Sequence, residues 1–174
     1  YGALPVPVEL VGTQTIGASL GADATAASVK AGMWGFLLVA IFLILLYRLP
    51  GLIAVVSLTL YIIFNLALFK LLGVVLTSAG LAAFIISIGM AVDGNILIFE
   101  RMREEFEKGN SIEEGIKEGF NRAWLSIRDS NLSSIITALI LFFTATSALV
   151  KGFAFVFFIG VIVSAFTAIT VSRT

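Results

Sequence analysis

The 174-residue sequence contains no cysteine and no histidine. The missing cysteines exclude disulfide bonds and thiolate metal sites, and the missing histidines exclude a histidine-ligated metal. Any proton transfer must therefore use aspartate, glutamate, hydroxyl or amide groups, or water. Basic and acidic residues number 11 each, so the net charge of +0 gives no electrostatic support to a nucleic-acid partner. We therefore expect no metal, no cofactor and no nucleic acid.

Charged residues are scarce, at 13% of the chain, whereas hydrophobic residues make up 59%. With a mean hydropathy of +1.08, the chain is too apolar for a soluble domain and falls in the integral membrane class. It opens with Tyr1, without a basic segment or a small-residue cleavage site. We therefore expect an internal piece of a longer chain.

Five apolar runs, each bounded by charged or turn residues, predict five membrane-spanning helices. Each run is long enough to cross a hydrocarbon core of roughly 30 Å at about 1.5 Å per residue. Together they form a predicted transmembrane domain over residues 28–174. The predicted spans are 31–48, 51–69, 79–100, 130–149 and 152–172.

Residues 1–27 are not membrane-like and predict the end of an external domain, followed by a linker. Val6, Val8 and Leu10 recur at every second position, which is typical of a strand, and Pro5 and Pro7 favour an edge position. Because a single strand cannot bury itself, we expect its partner strands to lie in sequence outside this chain.

Residues 100–128 are rich in charge and predict a segment outside the membrane. Ser111 and Glu114 have the spacing of a capping box, and apolar residues follow at helical spacing as far as residue 127. This pattern favours an amphipathic helix over 111–127, lying along the membrane face or packed on the ends of the other helices. The alternative is a solvated connector.

Lysine and arginine are concentrated at one end of the predicted spans, and the positive-inside rule places that end in the cytoplasm. The N-terminal segment would then be external and the C-terminus cytoplasmic. The residues expected at the cytoplasmic interface are Glu100, Arg101, Arg103 and Asp129.

Asp93 lies within the third apolar run, with no cation close to it in sequence. A carboxylate in hydrocarbon is costly, so an intramembrane acid is by default a candidate functional residue. Gly89 and Gly94 keep its neighbourhood small, which lets another helix approach closely. We interpret Asp93 as a titrating group on a proton path; the alternative is a neutral, hydrogen-bonded residue that joins helices. Any cation partner must come from another chain or from sequence outside this one, unless water replaces it.

Several polar residues extend this candidate path. Asn95 follows Asp93 by two positions. Asn131, Ser134 and Thr137 can fall near one face of the helix at the start of the fourth span.

Each of these polar residues also has a packing interpretation. Asn95 could bridge to Asn65 in the second span by a hydrogen bond between helices. The cluster around Asn131 could cap and pack the fourth helix, and for Asp129 we prefer a position at that helix's N-terminus, where the helix dipole favours an anion.

The stretch from Gly89 to Glu105, GMAVDGNILIFERMREE, resembles the fourth-helix signature of the SecD branch of the SecDF family, in the resistance–nodulation–division superfamily. Residues 129–134, DSNLSS, are similar to the Asp-x-Asn-x-Thr-Thr motif of the family's fifth helix, with serine for threonine at two places. Further similarity at 4–7, 15–21, 115–124 and 151–154 extends the resemblance to nearly all of the chain. Asp93-Gly94 distinguishes this branch from SecF, which carries Asn-Asp there; Gly94 replaces the usual alanine, one small residue for another.

The resemblance implies an all-α integral membrane fold, with helices two to six of a six-helix half, a short external β segment and a cytoplasmic amphipathic helix. It implies an auxiliary subunit of the Sec export machinery in the inner membrane of a prokaryote, which uses proton flow to promote translocation at the outer side. Asp93 would be the intramembrane acid of the proton path, paired with an arginine and an aspartate of SecF. The implied partners are SecF, fused or separate, the SecYEG translocon, unfolded exported polypeptide and membrane lipid.

Other functions stay open on the residues alone. An exporter of lipid or small molecules in the same superfamily needs a substrate cleft in external domains, and a membrane scaffold needs only a structural Asp93. An intramembrane aspartyl protease needs two facing acids that share a proton, and only Asp93 lies deep in a span. We therefore expect no enzymatic activity.

Overall fold

The structure, a computed structural model, describes the backbone of residues 18–172 and consists of five α-helices. Each helix contains a stretch long and apolar enough to cross a membrane, and residues 18–172 contain no strand. The predicted all-α membrane fold with five spanning helices is therefore confirmed, and the predicted N-terminal strand lies outside the described residues. The helices are α1 (Ala18–Tyr47), α2 (Leu49–Leu71), α3 (Ser78–Glu107), α4 (Ile112–Thr144) and α5 (Ala148–Ser172).

Local sequence signals mark where several helices begin. Thr77 precedes α3, and its hydroxyl accepts a hydrogen bond from the Gly80 N–H at 3.2 Å. Ser111 precedes α4 and forms the predicted capping box with Glu114. Pro50 lies in the first turn of α2, where its missing N–H costs no helical hydrogen bond.

α3 lies at the centre of the bundle and contacts each of the other four helices. Its most extensive contacts are with α5 and α4, and small side chains such as Ala83, Ala138 and Ala154 are fully buried there. α1 lies at the edge of the bundle, where Met33 and Leu45 are largely exposed. So much exposed apolar surface suits lipid, since soluble proteins rarely present it to water.

The two ends of the bundle differ in character. At the end we call the loop end, short connections over 72–77 and 145–147 join α2 to α3 and α4 to α5. At the opposite end, α3 and α4 continue as a charged helical hairpin over 101–128, which we call the arm. α3 has 30 residues and α4 has 33, so at about 1.5 Å per residue both exceed a hydrocarbon core of roughly 30 Å. The arm therefore extends beyond the membrane.

The predicted amphipathic helix and the fourth span form one helix, α4, rather than two. The amphipathic segment packs along α3, which corresponds to neither a separate helix in the membrane plane nor a solvated connector. The interpretation of Asp129 as a helix N-terminal anion is wrong, because Asp129 lies in the middle of α4 and Ser111 is the N-cap. The physical reason is that residues 112–131 contain no proline, so the helical hydrogen bonds continue without a break.

Two predicted boundaries also move. α1 begins at Ala18, so the part of the predicted linker after residue 17 is helical. α4 ends at Thr144, before the predicted limit of 149, because Ala145 adopts an extended conformation with ψ of 136°.

Glycines allow the two helices of the arm to approach closely. A Cβ on Gly119 of α4 would lie 2.6 Å from the Cα of Met102 on α3, and one on Gly115 would collide with the ring of Phe106, whose Cδ1 would be 2.6 Å away. Met102 and Phe120 pack against a small buried cluster of Ile98, Ala123, Ile127 and Ala168. The arm is therefore a packed unit and not a flexible loop.

We expect the substitution Gly119→Ala to destabilise the protein by about 1–3 kcal/mol, because the new methyl group meets backbone atoms that cannot rotate away. The measurement is the unfolding temperature of the full-length protein in detergent. Gly32→Ala on α1 is the control, since no atom lies within 4 Å of its Cβ position. Alanine is about 1 kcal/mol better than glycine in a helix, so the control should be unchanged or more stable. Equal losses in both variants would contradict the close approach.

Candidate functional site

Asp93 lies on α3 about 10 Å along the helix axis from Glu100, where the charged part of the helix begins. Among the residues that the structure describes, the Asp93 side chain is exposed. It lines a pocket of about 170 Å³. α3, α4 and α5 all contribute to this pocket, so three helices meet around the carboxyl group. The lining residues are Met90, Asp93, Gly94, Leu97, Ile127, Ser130, Asn131, Ser164 and Ala168.

Asn131 is the buried amide of this pocket, with 7% of its surface exposed. Its Nδ2 donates to the backbone carbonyl of Ile127 at 2.8 Å, one turn earlier on α4. Its Oδ1 is buried and has no hydrogen-bond partner among the described residues. A buried amide oxygen without a partner is costly, and it can be satisfied by a water molecule or by a proton donor in the pocket.

Two serines complete the polar lining. Ser130 donates to the carbonyl of Ile127 at 3.0 Å, and Ser164 of α5 is buried, with 4% exposed. No residue of this lining carries a positive charge. The pocket therefore supplies hydroxyl, amide and carboxyl groups, which can hold water and pass a proton without a histidine.

Ser134 and Thr137 lie on α4 but do not line the pocket. Ser134 donates to the carbonyl of Ser130 at 3.0 Å, and its Oγ lies 4.0 Å from the sulfur of Met90 on α3. Thr137 is exposed and donates to the carbonyl of Ser133 at 2.9 Å. Of the three predicted polar residues of α4, the structure thus places Asn131 beside Asp93, Ser134 one turn away and Thr137 on an outer surface.

Asn95 is buried, with 7% exposed, but does not bridge to Asn65. The Nδ2 of Asn65 donates to the carbonyl of Tyr61 at 3.0 Å, within α2. α2 and α3 run in opposite directions past the contact between Tyr61 and Ser87, and the two asparagines lie on opposite sides of it. Asn65 lies four residues beyond Tyr61 on α2, and Asn95 lies eight residues beyond Ser87 on α3. Because the two helices are antiparallel, these offsets add up to a separation of roughly 18 Å along the helix axes.

Gly89 and Gly94 are open in this structure. No atom lies within 4 Å of the Cβ position of either residue. The close helix approach that we predicted at these glycines is therefore not made within the described residues, and the surface beside Asp93 is left uncovered. The close approaches occur at other glycines, at 51, 115, 119 and 160.

The charged residues beyond the pocket form ordered pairs. Glu100 accepts a hydrogen bond from the Tyr47 hydroxyl at 2.8 Å, which joins the end of α1 to α3. Arg101 binds both carboxylate oxygens of Glu104, at 2.8 and 2.9 Å. Two more pairs lie on the surface, Arg103 with Glu107 and Arg128 with Asp129, where ion pairs contribute little.

Glu105 is the buried acid of the arm, with 5% exposed. It accepts hydrogen bonds from Lys108 at 2.6 Å and from Asn110 at 2.8 Å, and it pairs with Arg122 of α4. Hydrogen bonds from Lys108 and Arg122 lower the pKa of Glu105 below its ordinary value of 4.5. Glu105 therefore joins the two helices of the arm as a charged carboxylate.

Sequence reasoning missed Ser130, Ser164, Glu105 and Arg122. The spacing of Glu105 and Lys108 is that of a helical ion pair and was an available signal. Ser164 stands alone in an apolar run, and no local pattern connects it to Asp93. Only the packing of α5 against α3 brings it to the pocket.

Taken together, the five helices and the carboxyl-bearing pocket define a helical membrane protein with a polar site inside its span. The family model described as "Protein export membrane protein SecD/SecF, C-terminal" matches residues 5–174. The chain therefore belongs to the SecD/SecF family of protein-export membrane proteins.

Individual relatives agree with this assignment. Proteins named protein translocase subunit SecD from Thermobaculum terrenum and Synechocystis are 49% and 51% identical over 99% of this chain, which covers 34% and 36% of their lengths. The solved structure of SecDF from Thermus thermophilus, described as a translocon-associated membrane protein, has a TM-score of 0.85 and 36% identity, over 91% of this chain and 22% of that chain. The chain thus spans about a third of the length of these curated relatives.

We expect the substitution Glu105→Gln to lower the unfolding temperature at pH 7, because the charged hydrogen bonds across the arm are lost. The lowered pKa means that the stabilisation is present above 4.5 and disappears as the pH falls through the lower, folded-state value. The difference between parent and variant should therefore shrink as the pH falls below 4.5. Thermal unfolding across this pH range is the measurement, with Glu118→Gln, an exposed position on α4, as the control. A difference that stays constant with pH would contradict the role of the carboxylate.

Proposed function

We propose that this chain is the membrane part of an auxiliary subunit of the Sec protein-export machinery, which uses proton flow through the membrane to promote polypeptide translocation. The observation that supports this most directly is the pocket in which Asp93, Asn131, Ser130 and Ser164 meet within the span. The relatives named protein translocase subunit SecD, and the likeness to a translocon-associated protein, supply the Sec context.

Proton carriage suits the chemistry of the pocket. A carboxyl group accepts and releases a proton, and the unpartnered Oδ1 of Asn131 can accept a hydrogen bond from a protonated carboxyl or from water. Moving one elementary charge across 100 mV is worth about 2.3 kcal/mol, which sets the scale of the available drive. The pocket holds a single acid, so the paired acids of an aspartyl protease are not met, and we propose a role without enzymatic catalysis.

A second membrane chain covers the open side of the site. Asp93 is exposed, Gly89 and Gly94 have empty space beside them, and Thr137 is exposed on α4. Lipid does not satisfy a carboxyl group, so this face requires a polar partner. We propose SecF for this partner, since the resemblance implies that SecF supplies an arginine and an aspartate. SecYEG and unfolded exported polypeptide are the further partners of the assembled subunit.

The arm lies in the cytoplasm of a prokaryote in this proposal. Its basic residues, among them Arg101, Arg103, Lys108, Lys117 and Arg122, outnumber the lysines of the opposite side, as the positive-inside rule requires. The loop end then faces the outer side of the inner membrane, where translocation is promoted.

We expect Asp93→Asn in the full-length protein to abolish the part of export that depends on the proton-motive force, because an amide cannot exchange a proton at neutral pH. Loss of about 2.3 kcal/mol of drive corresponds to roughly 50-fold in an equilibrium. The measurement is translocation of a secreted protein into inverted membrane vesicles, with and without an imposed proton gradient. Glu118→Gln on the arm is the matched control, which should export normally.

Membrane insertion and co-purification with SecF must be unchanged in the Asp93→Asn variant, so that lost export reports on the proton path. If Asp93→Asn kept full gradient-dependent export, the proton path would be excluded. The alternative function, a membrane scaffold with a structural Asp93, would then remain.

A further inference from the structure

A cluster of three polar groups joins α2, α3 and α5 within the membrane, apart from the Asp93 pocket. The Tyr61 hydroxyl lies 2.8 Å from the Ser87 Oγ and 3.1 Å from the Gly160 carbonyl oxygen. Ser87 donates in turn to the carbonyl of Phe84 at 2.7 Å. Tyr61 and Ser87 are both completely buried, so these hydrogen bonds form in a low-dielectric interior, where they are strong.

The helices leave no room for water at this cluster. A Cβ on Gly160 would lie 2.5 Å from the Ser87 Cβ and 3.1 Å from the Tyr61 hydroxyl, so the α5 backbone rests directly on these side chains. The surrounding α3 and α5 side chains Ala83, Val156 and Val161 are at most 1% exposed. A water-filled passage therefore does not run between α3 and α5 at this level.

The cluster lies on the loop side of the Asp93 pocket. Ser87 precedes Asp93 on α3 by six residues, about 9 Å, and Gly160 precedes Ser164 on α5 by four residues, about 6 Å. Towards the arm, by contrast, the packing opens into the pocket lined by Ser130, Asn131 and Ser164.

We propose that Tyr61, Ser87 and Gly160 form a dry seal that closes the loop side of the Asp93 pocket between α3 and α5. This inference rests on the proposed proton path, and it assigns three positioning residues that control which side reaches Asp93. A proton-driven device loses its drive if its carboxyl communicates with both sides at once. The seal prevents this leak by close packing, and the Tyr61 hydroxyl donates its single proton to one of the two oxygens beside it, the Ser87 Oγ or the Gly160 carbonyl.

The test uses the full-length protein, reconstituted with its membrane partner in vesicles that contain a pH-sensitive dye. A potassium diffusion potential drives protons, and the initial rate of pH change gives the leak. Gly160→Ala pushes α3 and α5 apart and should raise the leak about tenfold, equivalent to ~1.36 kcal/mol off the barrier. Gly152→Ala on the same helix is the matched control and should leave the leak unchanged, because the nearest atom to its Cβ is 3.7 Å away.

A compensating pair separates the seal from general damage. In Gly160→Ala with Ser87→Gly, the two atoms closest to the new methyl, the Oγ and Cβ of Ser87, are gone, so the leak should return towards the parent value. Tyr61→Phe, which keeps the ring but removes the hydroxyl, should also raise the leak. It replaces Gly160→Ala in the leak measurement if Gly160→Ala does not fold. The proposal is overturned if Gly160→Ala or Tyr61→Phe folds with the unfolding temperature of the parent and shows the same proton leak as the parent.

Adding Asp93→Asn to Gly160→Ala shows where the leaking protons pass. If the seal closes the Asp93 pocket, this second substitution should abolish the leak; a leak that persists without the carboxyl overturns the proposal. Normal gradient-dependent export by Asp93→Asn alone would instead remove the proposed function. The two failures are therefore distinguishable.

Discussion

Hydrocarbon provides no water for a carboxyl group, and the position of Asp93 on α3 constrains the rest of the structure accordingly. α3 occupies the centre of the bundle, so that α4 and α5 both contribute residues to the pocket that Asp93 lines. Asn131 and Ser164 bring a buried amide and a buried hydroxyl to the pocket that Asp93 lines. The remaining side is open among the described residues, and the proposed membrane partner would cover it.

The two halves of α3 are held by different interactions because they lie in different media. On the loop side, small residues and glycine allow helices to touch, and Tyr61 and Ser87 form neutral hydrogen bonds in a dry interior. On the arm side, charges are accessible to water, and Glu105 receives hydrogen bonds from cationic side chains of α3 and α4. Between these two regions lies the pocket that Asp93 lines.

α4 combines two roles that the sequence presents as separate. Its first half is an amphipathic helix that packs on the part of α3 that lies in the arm. Its second half crosses the membrane. One uninterrupted helix therefore carries both the α4 side of the arm and Asn131 of the pocket.

Much of this protein could be predicted from the sequence because its signals are local. Apolar run length identifies membrane spans, Ser111 and Glu114 identify a helix start, and an acid such as Asp93 in an apolar run marks a site. These inferences need no knowledge of neighbours, since hydrophobicity, capping and the cost of a buried charge depend on adjacent residues and on the solvent.

The contacts between distant segments followed from packing alone. Ser164 lines the same pocket as Asp93, and Gly160 touches Ser87, because α5 crosses α3 at a particular register. Asn95 and Asn65 do not meet, although their residue types match, because antiparallel helices carry them apart. Composition and periodicity determined which segments enter the membrane. The register between helices determined which polar groups share a pocket, because side-chain contact depends on three-dimensional position and not on separation along the chain.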